Sequence, residues 1–230
     1  MKLIDKLLVF TGKKEFKIDE KISIAYIIRV CWKYGWMMIR GRIFSIGRRN
    51  ISNNIFVGKH VKVLEKRYLH MESKCKIHDD VYIDALSQDG VTLGKGIVLG
   101  RGTRIECTGS LQYVGSGIVI GDGTTFGNDC FFGAAGGISV GRNVVAGQFI
   151  RFHSENHNYK NLNILIKDQG VNHKGIKIGD NCWIGSGVVF LDGASVASGC
   201  VIAANAVITK EFPENSIIGG VPAKIIGYRS

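Results

Sequence analysis

Proline is almost absent from this sequence, which has 2 prolines against 31 glycines in 230 residues. Collagen-like and low-complexity chains are rich in both residues, so the balance excludes those classes. Many glycines without prolines indicate instead many tight turns between short segments. A hydrophobic content of 45% indicates a folded chain rather than a disordered one.

Long apolar runs and paired cysteines are also missing. The most apolar stretch, residues 22–39, is interrupted by Arg29 and Lys33, so no membrane-spanning segment is predicted. The six cysteines form no CxxC pair, and the first residues lack the uninterrupted apolar core of a secretory signal. We therefore expect a reducing, cytoplasmic location.

The net charge of +11 is concentrated at one end of the chain. Residues 1–50 hold 12 of the 30 Lys and Arg residues but only 4 of the 19 Asp and Glu residues. The remaining sequence shows no basic surface interleaved with aromatic stacking residues. Nucleic acid is therefore not expected as a partner.

Aliphatic or aromatic residues recur every six positions through most of the chain. The clearest run is Ile178, Ile184, Phe190, Val196, Ile202 and Ile208. A helix needs a period near 3.6 and a plain strand a period of 2, so a six-residue period fits neither. Three such hexads make one triangular coil, and stacked coils bury a continuous aliphatic ladder. The pattern predicts an all-β parallel β-helix over residues 51–212.

The position four residues after each ladder residue is small and mostly apolar. Cys182 and Cys200 occupy this position in successive coils and should therefore stack. A disulfide or metal pair is one interpretation. Buried cysteine usually behaves as a small hydrophobic residue, so we favour core packing.

Breaks in the six-residue period predict loops that leave the solenoid. Short ones fall near residues 108–117 and between Phe132 and Val140, and a long one occupies residues 153–175. Long loops on rigid scaffolds are often functional. This loop holds three of the six histidines, His153, His157 and His173, and a neutral imidazole can act as a general base near neutral pH.

Several motifs around this loop resemble those of the hexapeptide acyltransferases, most closely the galactoside, maltose and polysaccharide O-acetyltransferases. The matching stretches are residues 143–157, IGDNCWIG at 178–185, VIAANAVITK at 201–210 and GGVPAK at 219–224. The resemblance implies a left-handed β-helix that uses acetyl-CoA as co-substrate and a sugar or polysaccharide as acceptor. It also implies a homotrimer with the active site between adjacent subunits.

The resemblance assigns roles residue by residue. The catalytic base falls on His157. His153 is a second candidate, but it would need a shift of the alignment, and it could equally be a solvated loop histidine without a catalytic role. Trp183 falls on a tryptophan that lines the active site or the pantetheine channel. Positions that contact coenzyme A fall on Ser186, Ala204, Thr209 and Lys210, with Lys224 near its phosphates. The polar residue that supports the histidine in the family is replaced here by Gly127, beside Asn128 and Asp129.

Three functions remain open at this stage. The first is O-acetylation of a sugar hydroxyl on a surface polysaccharide or its precursor, with no metal required. The second is N-acetylation of an amino sugar nucleotide or an antibiotic on the same scaffold. The third is a metal-dependent hydratase like the γ-carbonic anhydrases, with His153, His157 and His173 around zinc.

Residues 1–50 form a basic, amphipathic segment, predicted to be helical over residues 19–44. Arg29, Lys33 and Arg40 fall on one narrow helical face and leave a broad apolar surface. Such a helix suits the surface of an anionic membrane, or it covers the first coil or packs between subunits. Residues 213–230 are predicted to form a C-terminal tail.

Overall fold

The computed structural model describes residues 18–230. The chain forms two compact units, Met1–Trp36 and Met37–Ser230. Helix α1 (Ile24–Ser45) begins in the first unit and ends in the second. The predicted segment 1–50 therefore contains a helix, while its first 17 residues lie outside the described part of the chain. No helix within residues 18–230 has the length and hydropathy needed to cross a bilayer.

The rest of the second unit consists of short strands joined by turns. In chain order they are β1 (Phe56–Val57), β2 (Lys62–Leu64), β3 (Leu69–Met71), β4 (Lys76–Ile77), β5 (Tyr82–Asp84), β6 (Val91–Leu93), β7 (Val98–Leu99), β8 (Arg104–Glu106), β9 (Ile118–Ile120), β10 (Thr125–Phe126), β11 (Phe131–Gly133), β12 (Ile138–Val140), β13 (Val145–Ala146), β14 (Arg151–His153), β15 (Asn156–His157), β16 (Val171–Asn172), β17 (Ile176–Ile178), β18 (Trp183–Ile184), β19 (Val189–Leu191), β20 (Ser195–Val196), β21 (Val201–Ile202), β22 (Val207–Ile208), β23 (Glu211–Phe212), β24 (Ser216–Gly220) and β25 (Ala223–Tyr228). Two single 3₁₀ turns lie at Lys66–Tyr68 and Ile166–Asp168.

Three sheets form the walls of the solenoid. Sheet 1 has the order β1-β4-β7-β10-β13-β18-β21-β24-β25, sheet 2 the order β2-β5-β8-β11-β14-β19-β22, and sheet 3 the order β3-β6-β9-β12-β17-β20-β23. The chain visits sheets 1, 2 and 3 in rotation, and pairing between coils is parallel throughout these walls except at β24–β25. The fold is a left-handed parallel β-helix, as predicted.

The six-residue ladder forms the core of the solenoid. In each two-residue strand of the C-terminal coils the second residue points inward, as Ile184, Val196, Ile202 and Ile208 do. Three phenylalanines stack in successive coils: the ring centroids of Phe132 and Phe152 are 4.7 Å apart and those of Phe152 and Phe190 are 4.8 Å apart. The predicted ladder is confirmed for these positions.

The small residues after each ladder position are buried at the inner corners. Cys182 and Cys200 are free thiols, so the prediction of core packing is confirmed. Their sulfhydryl groups donate weak hydrogen bonds to the carbonyl oxygens of Ala197, at 3.4 Å, and Pro213, at 3.1 Å. Burial raises the pKa of the Cys182 thiol to about 11, which keeps it protonated and unreactive at neutral pH.

The last turns of α1 pack on the first coil. Met37, Gly41 and Ser45 are spaced four residues apart on one face of the helix, and all three are buried. The Arg40 guanidinium donates hydrogen bonds to the carbonyl oxygens of Val57, at 2.9 Å, and Gly58, at 3.1 Å. This face of the helix therefore covers the open end of the solenoid.

The predicted C-terminal tail continues sheet 1. Strand β24 pairs in parallel with β21, and β25 returns antiparallel to β24. Because β25 covers the free edge of β24, the sheet ends in a hairpin rather than an open parallel strand.

Candidate active site

The long loop leaves the solenoid where sheet 2 turns into sheet 3, between β14 and β17. We call this edge of the prism the loop corner; later coils turn there at residues 192–194 and 209–210. Ser154 fixes the point of departure, because its hydroxyl donates to the carbonyl oxygen of Gly133 at 2.7 Å and accepts from the amide of Gly136 at 2.9 Å. The loop therefore starts from a rigid position.

A buried carboxylate on the next coil holds both ends of the loop. One oxygen of Asp192 accepts the backbone amides of Lys174 and Gly175, both at 2.8 Å. Its other oxygen accepts the side-chain amide of Asn156 at 3.3 Å. Only 8% of Asp192 is exposed. This one side chain therefore joins the outgoing and returning strands of the loop.

The base of the loop is a two-stranded antiparallel ribbon. Strand β15 pairs with β16, with His157 opposite Val171. The side chain of Asn158 continues the ribbon, donating to the carbonyl oxygen of Gln169 at 3.1 Å and accepting from the Asn172 amide at 2.8 Å. The position of His157 is thus set by backbone pairing on one side and by Asp192, through Asn156, on the other.

The ring of His157 is exposed, and within residues 18–230 it forms no hydrogen bond or ion pair. Both of its nitrogens are available to a ligand. A general base needs access to the proton it removes. The exposed ring has this access, and the ribbon fixes the backbone that carries it.

The other two histidines of the loop have different surroundings. His173 Nε2 lies 2.8 Å from Glu155 Oε2, and this hydrogen bond joins the two sides of the loop base. Glu155 therefore orients His173 and not His157. His153 points outward from sheet 2 beside Phe131, and burial together with the charge of Arg151 lowers its pKa. Within residues 18–230 no group of three or more His, Cys, Asp or Glu side chains is arranged to hold a metal ion.

Trp183 lies on the other side of the prism. It points outward from sheet 1 with 60% of its surface exposed, in register with Val145 and Val201. In a triangular coil, sheet 1 is the face opposite the corner between sheets 2 and 3. One chain therefore presents Trp183 and the loop corner on opposite sides.

The predicted coenzyme residues divide between the same two regions. Ser186 and Ala204 are exposed on successive turns between sheets 1 and 2, and Lys224 lies on β25 at the end of sheet 1. Thr209 and Lys210 lie at the loop corner. Gly127, Asn128 and Asp129 also lie between sheets 1 and 2, where the side-chain Oδ1 of Asn128 accepts a hydrogen bond from the backbone amide of Arg101 at 3.0 Å. In one chain the residues between sheets 1 and 2 are therefore on a different corner of the coil from the base of the His157 loop.

The turns that carry Ser186 and Ala204 are tightly stacked. A Cβ atom added to Gly185 would lie 2.5 Å from the backbone nitrogen of Ala204, and one added to Gly147 would lie 2.5 Å from Ser186 Oγ. Glycine is therefore required at both positions, because the next turn occupies the space that a side chain would fill.

The turns that carry Ser186 and Ala204 lie in a part of the chain that is similar to a known protein family. Residues 175–210 match the family model described as "Bacterial transferase hexapeptide (six repeats)". These residues are therefore similar to bacterial transferase hexapeptide repeats. The sequence-based resemblance is thereby confirmed.

Curated relatives align with part of the chain. A putative acetyltransferase of Schizosaccharomyces pombe is 36% identical over 99 residues, which is 43% of this chain and 46% of the relative. The putative lipopolysaccharide biosynthesis O-acetyl transferase WbbJ of Escherichia coli is 31% identical over 96 residues, 39% of this chain and 49% of the relative. The chain thus spans less than half the length of either relative.

Solved structures share the fold. A variant of AntD, an N-acyltransferase from Bacillus cereus in complex with dTDP-4-amino-4,6-dideoxyglucose and coenzyme A, superposes with a TM-score of 0.55 at 14% identity. The alignment covers 83% of this chain and 89% of that one. A maltose O-acetyltransferase from Clostridium difficile aligns with a TM-score of 0.48 at 20% identity, over 87% and 88% of the two chains.

Sequence reasoning missed Asp192 as part of the site. Its signal in the sequence is the spacing: Asp192 follows Lys174 by 18 residues, one full coil, so it lies directly beside the end of the loop. An acidic residue at an inner turn of an otherwise small and apolar repeat marks a position with a specific partner.

Proposed function

We propose that this protein is an acyltransferase that transfers the acetyl group of acetyl-CoA to a sugar hydroxyl of a surface polysaccharide or its precursor. The observation that carries the proposal is His157, an exposed, unengaged imidazole whose backbone is held in the ribbon at the base of the long loop. The names of the relatives, which include a lipopolysaccharide O-acetyl transferase, support the same reaction class.

In the proposed reaction, His157 accepts the proton of the acceptor hydroxyl while the hydroxyl oxygen attacks the thioester carbonyl carbon of acetyl-CoA. The tetrahedral intermediate collapses with cleavage of the carbon–sulfur bond, and the coenzyme thiolate takes the proton from the imidazolium. Backbone N–H groups of the stacked turns are the available donors for the oxyanion. The acceptor becomes an acetyl ester, and the coenzyme leaves as a free thiol.

The edge between sheets 1 and 2 suits the extended pantetheine arm of the co-substrate. Its turns carry the small, exposed side chains of Ser186 and Ala204, so a narrow ligand can lie close to the backbone. Trp183 borders this edge, and Lys224 lies farther along sheet 1, where a cation would meet the phosphates of the coenzyme.

We propose that the working form is a cytoplasmic homotrimer. Trp183 and the His157 loop lie on opposite sides of one chain, so a site that contains both needs a second copy. Val145 and Trp183 are exposed in a single chain beside the partly buried Val201, and this apolar row offers a contact surface for that copy. Free, mostly buried cysteines are in keeping with a reducing compartment.

Release of coenzyme thiol from acetyl-CoA, with and without a panel of saccharides, tests the proposed reaction. His157→Gln should lower acceptor-dependent kcat by about 10²–10⁴-fold, the usual contribution of a general base. His70→Gln is the matched control, because His70 is also exposed but lies on sheet 3, away from the loop. Undiminished turnover by His157→Gln would remove His157 from this role.

Product analysis separates the proposed ester from the amide that N-acetylation would give. A base-labile acetyl group on a saccharide supports O-acetylation, whereas a base-stable product on an amino sugar would replace it with N-acetylation. The metal-dependent hydratase gains no support from the described residues, since His173 is paired with Glu155 and no ligand cluster is formed.

A further inference from the structure

The part of helix α1 in the second unit, together with the residue after it, has a buried face and an exposed face. Met37, Gly41 and Ser45 are buried on the first coil, while Ile39, Ile43 and Ile46 are exposed on the other side. Ile43 is 64% exposed and Ile46 is 74% exposed. Covering the coil therefore accounts for only one of the two faces.

Basic residues border this exposed face. Arg42, Arg48 and Arg49 line a cleft of about 710 Å³ together with Ile46 and Ile51, and no acidic residue lines it. Within residues 18–230 none of these three arginines forms an ion pair. The charge of Arg48 also adds to burial in lowering the pKa of Lys66, so a further cation lies close by.

The preceding turns of the helix, taken by themselves, also carry exposed apolar residues with basic residues beside them. Ile24, Ile28, Trp32 and Trp36 follow one another at four-residue spacing, and all four are exposed, Trp32 by 69%. The ring centroids of Trp32 and Trp36 are 6.0 Å apart, and the two rings meet edge to face. Arg29 and Lys33 are exposed beside them, and the helix from Ile24 to Ser45 contains no acidic residue.

We propose that this surface docks the protein on an anionic phospholipid membrane, with α1 lying at the interface. Exposed isoleucine and tryptophan enter the boundary between headgroups and acyl chains, and arginine contacts lipid phosphates. Tryptophan is favoured at that depth because its ring is apolar and its N–H stays hydrated. The docking does not depend on the acyltransfer reaction.

The charges favour this occupant over a second copy of the chain. A symmetric contact would place the same basic, acid-free helix against itself, and like charges would repel. An anionic bilayer instead offers opposite charge and an apolar layer together. The exposed apolar residues and the unpaired arginines thus have one common partner.

Co-sedimentation of the full-length chain with lipid vesicles tests the proposal. We expect binding to vesicles that contain about one third phosphatidylglycerol, weak binding to pure phosphatidylcholine, and loss of binding at about 1 M salt. Tryptophan fluorescence in a Trp183→Phe background should shift to the blue on binding, since only Trp32 and Trp36 then report.

Matched variants separate the apolar and the charge contributions. Ile43→Ser should weaken binding by about tenfold or more, whereas Leu111→Ser, at a fully exposed leucine in a solenoid loop, should not. Arg48→Glu should weaken binding to anionic vesicles, whereas Arg101→Glu makes the same charge change on a solenoid turn and should have a much smaller effect. Circular dichroism checks that each variant is folded.

Equal binding to neutral and anionic vesicles would overturn the proposal, as would unchanged binding by folded Ile43→Ser. Absence of vesicle binding, combined with dissociation of an oligomer by Ile43→Ser, would instead make the exposed face a contact between copies of the chain.

Discussion

Asp192 shows how one residue can fix the position of another that it does not contact. Burying a carboxylate is unfavourable unless hydrogen bonds replace its water. Here two backbone amides and the Asn156 side chain replace it, and all three belong to the loop ends. His157 follows Asn156 directly, so a change at Asp192 is transmitted to the imidazole through one residue.

A reciprocal exchange at these two positions tests that connection. Asn156→Asp places two carboxylates at hydrogen-bond distance, where their repulsion should displace the ribbon and lower kcat by about tenfold or more. Combining it with Asp192→Asn restores one amide facing one carboxylate and should recover most of the lost rate. Steady-state kinetics with acetyl-CoA and a saccharide acceptor measures both effects.

The KM for acetyl-CoA provides the control in the same experiment. Four of the six residues expected to bind the coenzyme, Trp183, Ser186, Ala204 and Lys224, lie on sheet 1 or on the turns between sheets 1 and 2, away from Asp192. This KM should therefore stay within about twofold. A double variant no more active than Asn156→Asp alone would refute the positioning role.

At the scale of single residues, the sequence predicts what the repeat determines. Ladder positions such as Phe190 and Ile202 and the buried free thiols of Cys182 and Cys200 follow from a period of six. The contacts of Asp192 could not be predicted, because they depend on where the two ends of a long irregular loop meet. The role of His157 remains a prediction until kinetics tests it.

Helix α1 combines a cap and an exposed surface in one element. The sequence pattern left these two interpretations open because apolar residues occur nearly all round the helix. The structure divides them: Gly41 lies on the buried side, and the exposed isoleucines lie on the other. Only the arrangement of the first coil, to which Ile55 belongs, determines which side is covered.

Two glycines of this helix make a matched pair for stability. A Cβ atom at Gly41 would lie 2.0 Å from the carbonyl oxygen of Ile55, whereas one at Gly35 meets nothing within 4 Å. Gly41→Ala should therefore destabilise the second unit by roughly 1–3 kcal/mol through forced separation of helix and coil. Gly35→Ala should stabilise the helix by about 0.5–1 kcal/mol, because alanine loses less backbone entropy.

Urea unfolding followed by circular dichroism measures both variants under the same conditions. Opposite signs of the change in unfolding free energy would agree with the close packing of α1 on the coil. Shifts of the same sign and size would mean that Gly41 does not approach Ile55 so closely.

At the scale of the whole molecule, the triangular coil separates residues that the sequence places together. Trp183 follows soon after the loop, yet strand β17 and the corner after it carry the chain across sheet 3 to sheet 1, the face opposite the loop corner. Motif spacing alone could not show this, because it depends on which sheet each strand joins. An active site with His157 and Trp183 together must therefore be formed by two copies of the chain.

Mixing two inactive variants distinguishes a shared site from a site within one chain. Trp183→Ala and His157→Ala should each have low activity alone. Randomly assembled trimers of the two should recover about one quarter of the wild-type sites, because each complete site takes His157 from one variant and Trp183 from the other. Mixing His157→Ala with the double variant His157→Ala/Trp183→Ala is the control and should recover nothing, since no subunit then carries the imidazole. Absence of recovery in the first mixture, with trimer assembly verified by light scattering, would place both residues in the same chain's site or leave Trp183 outside it.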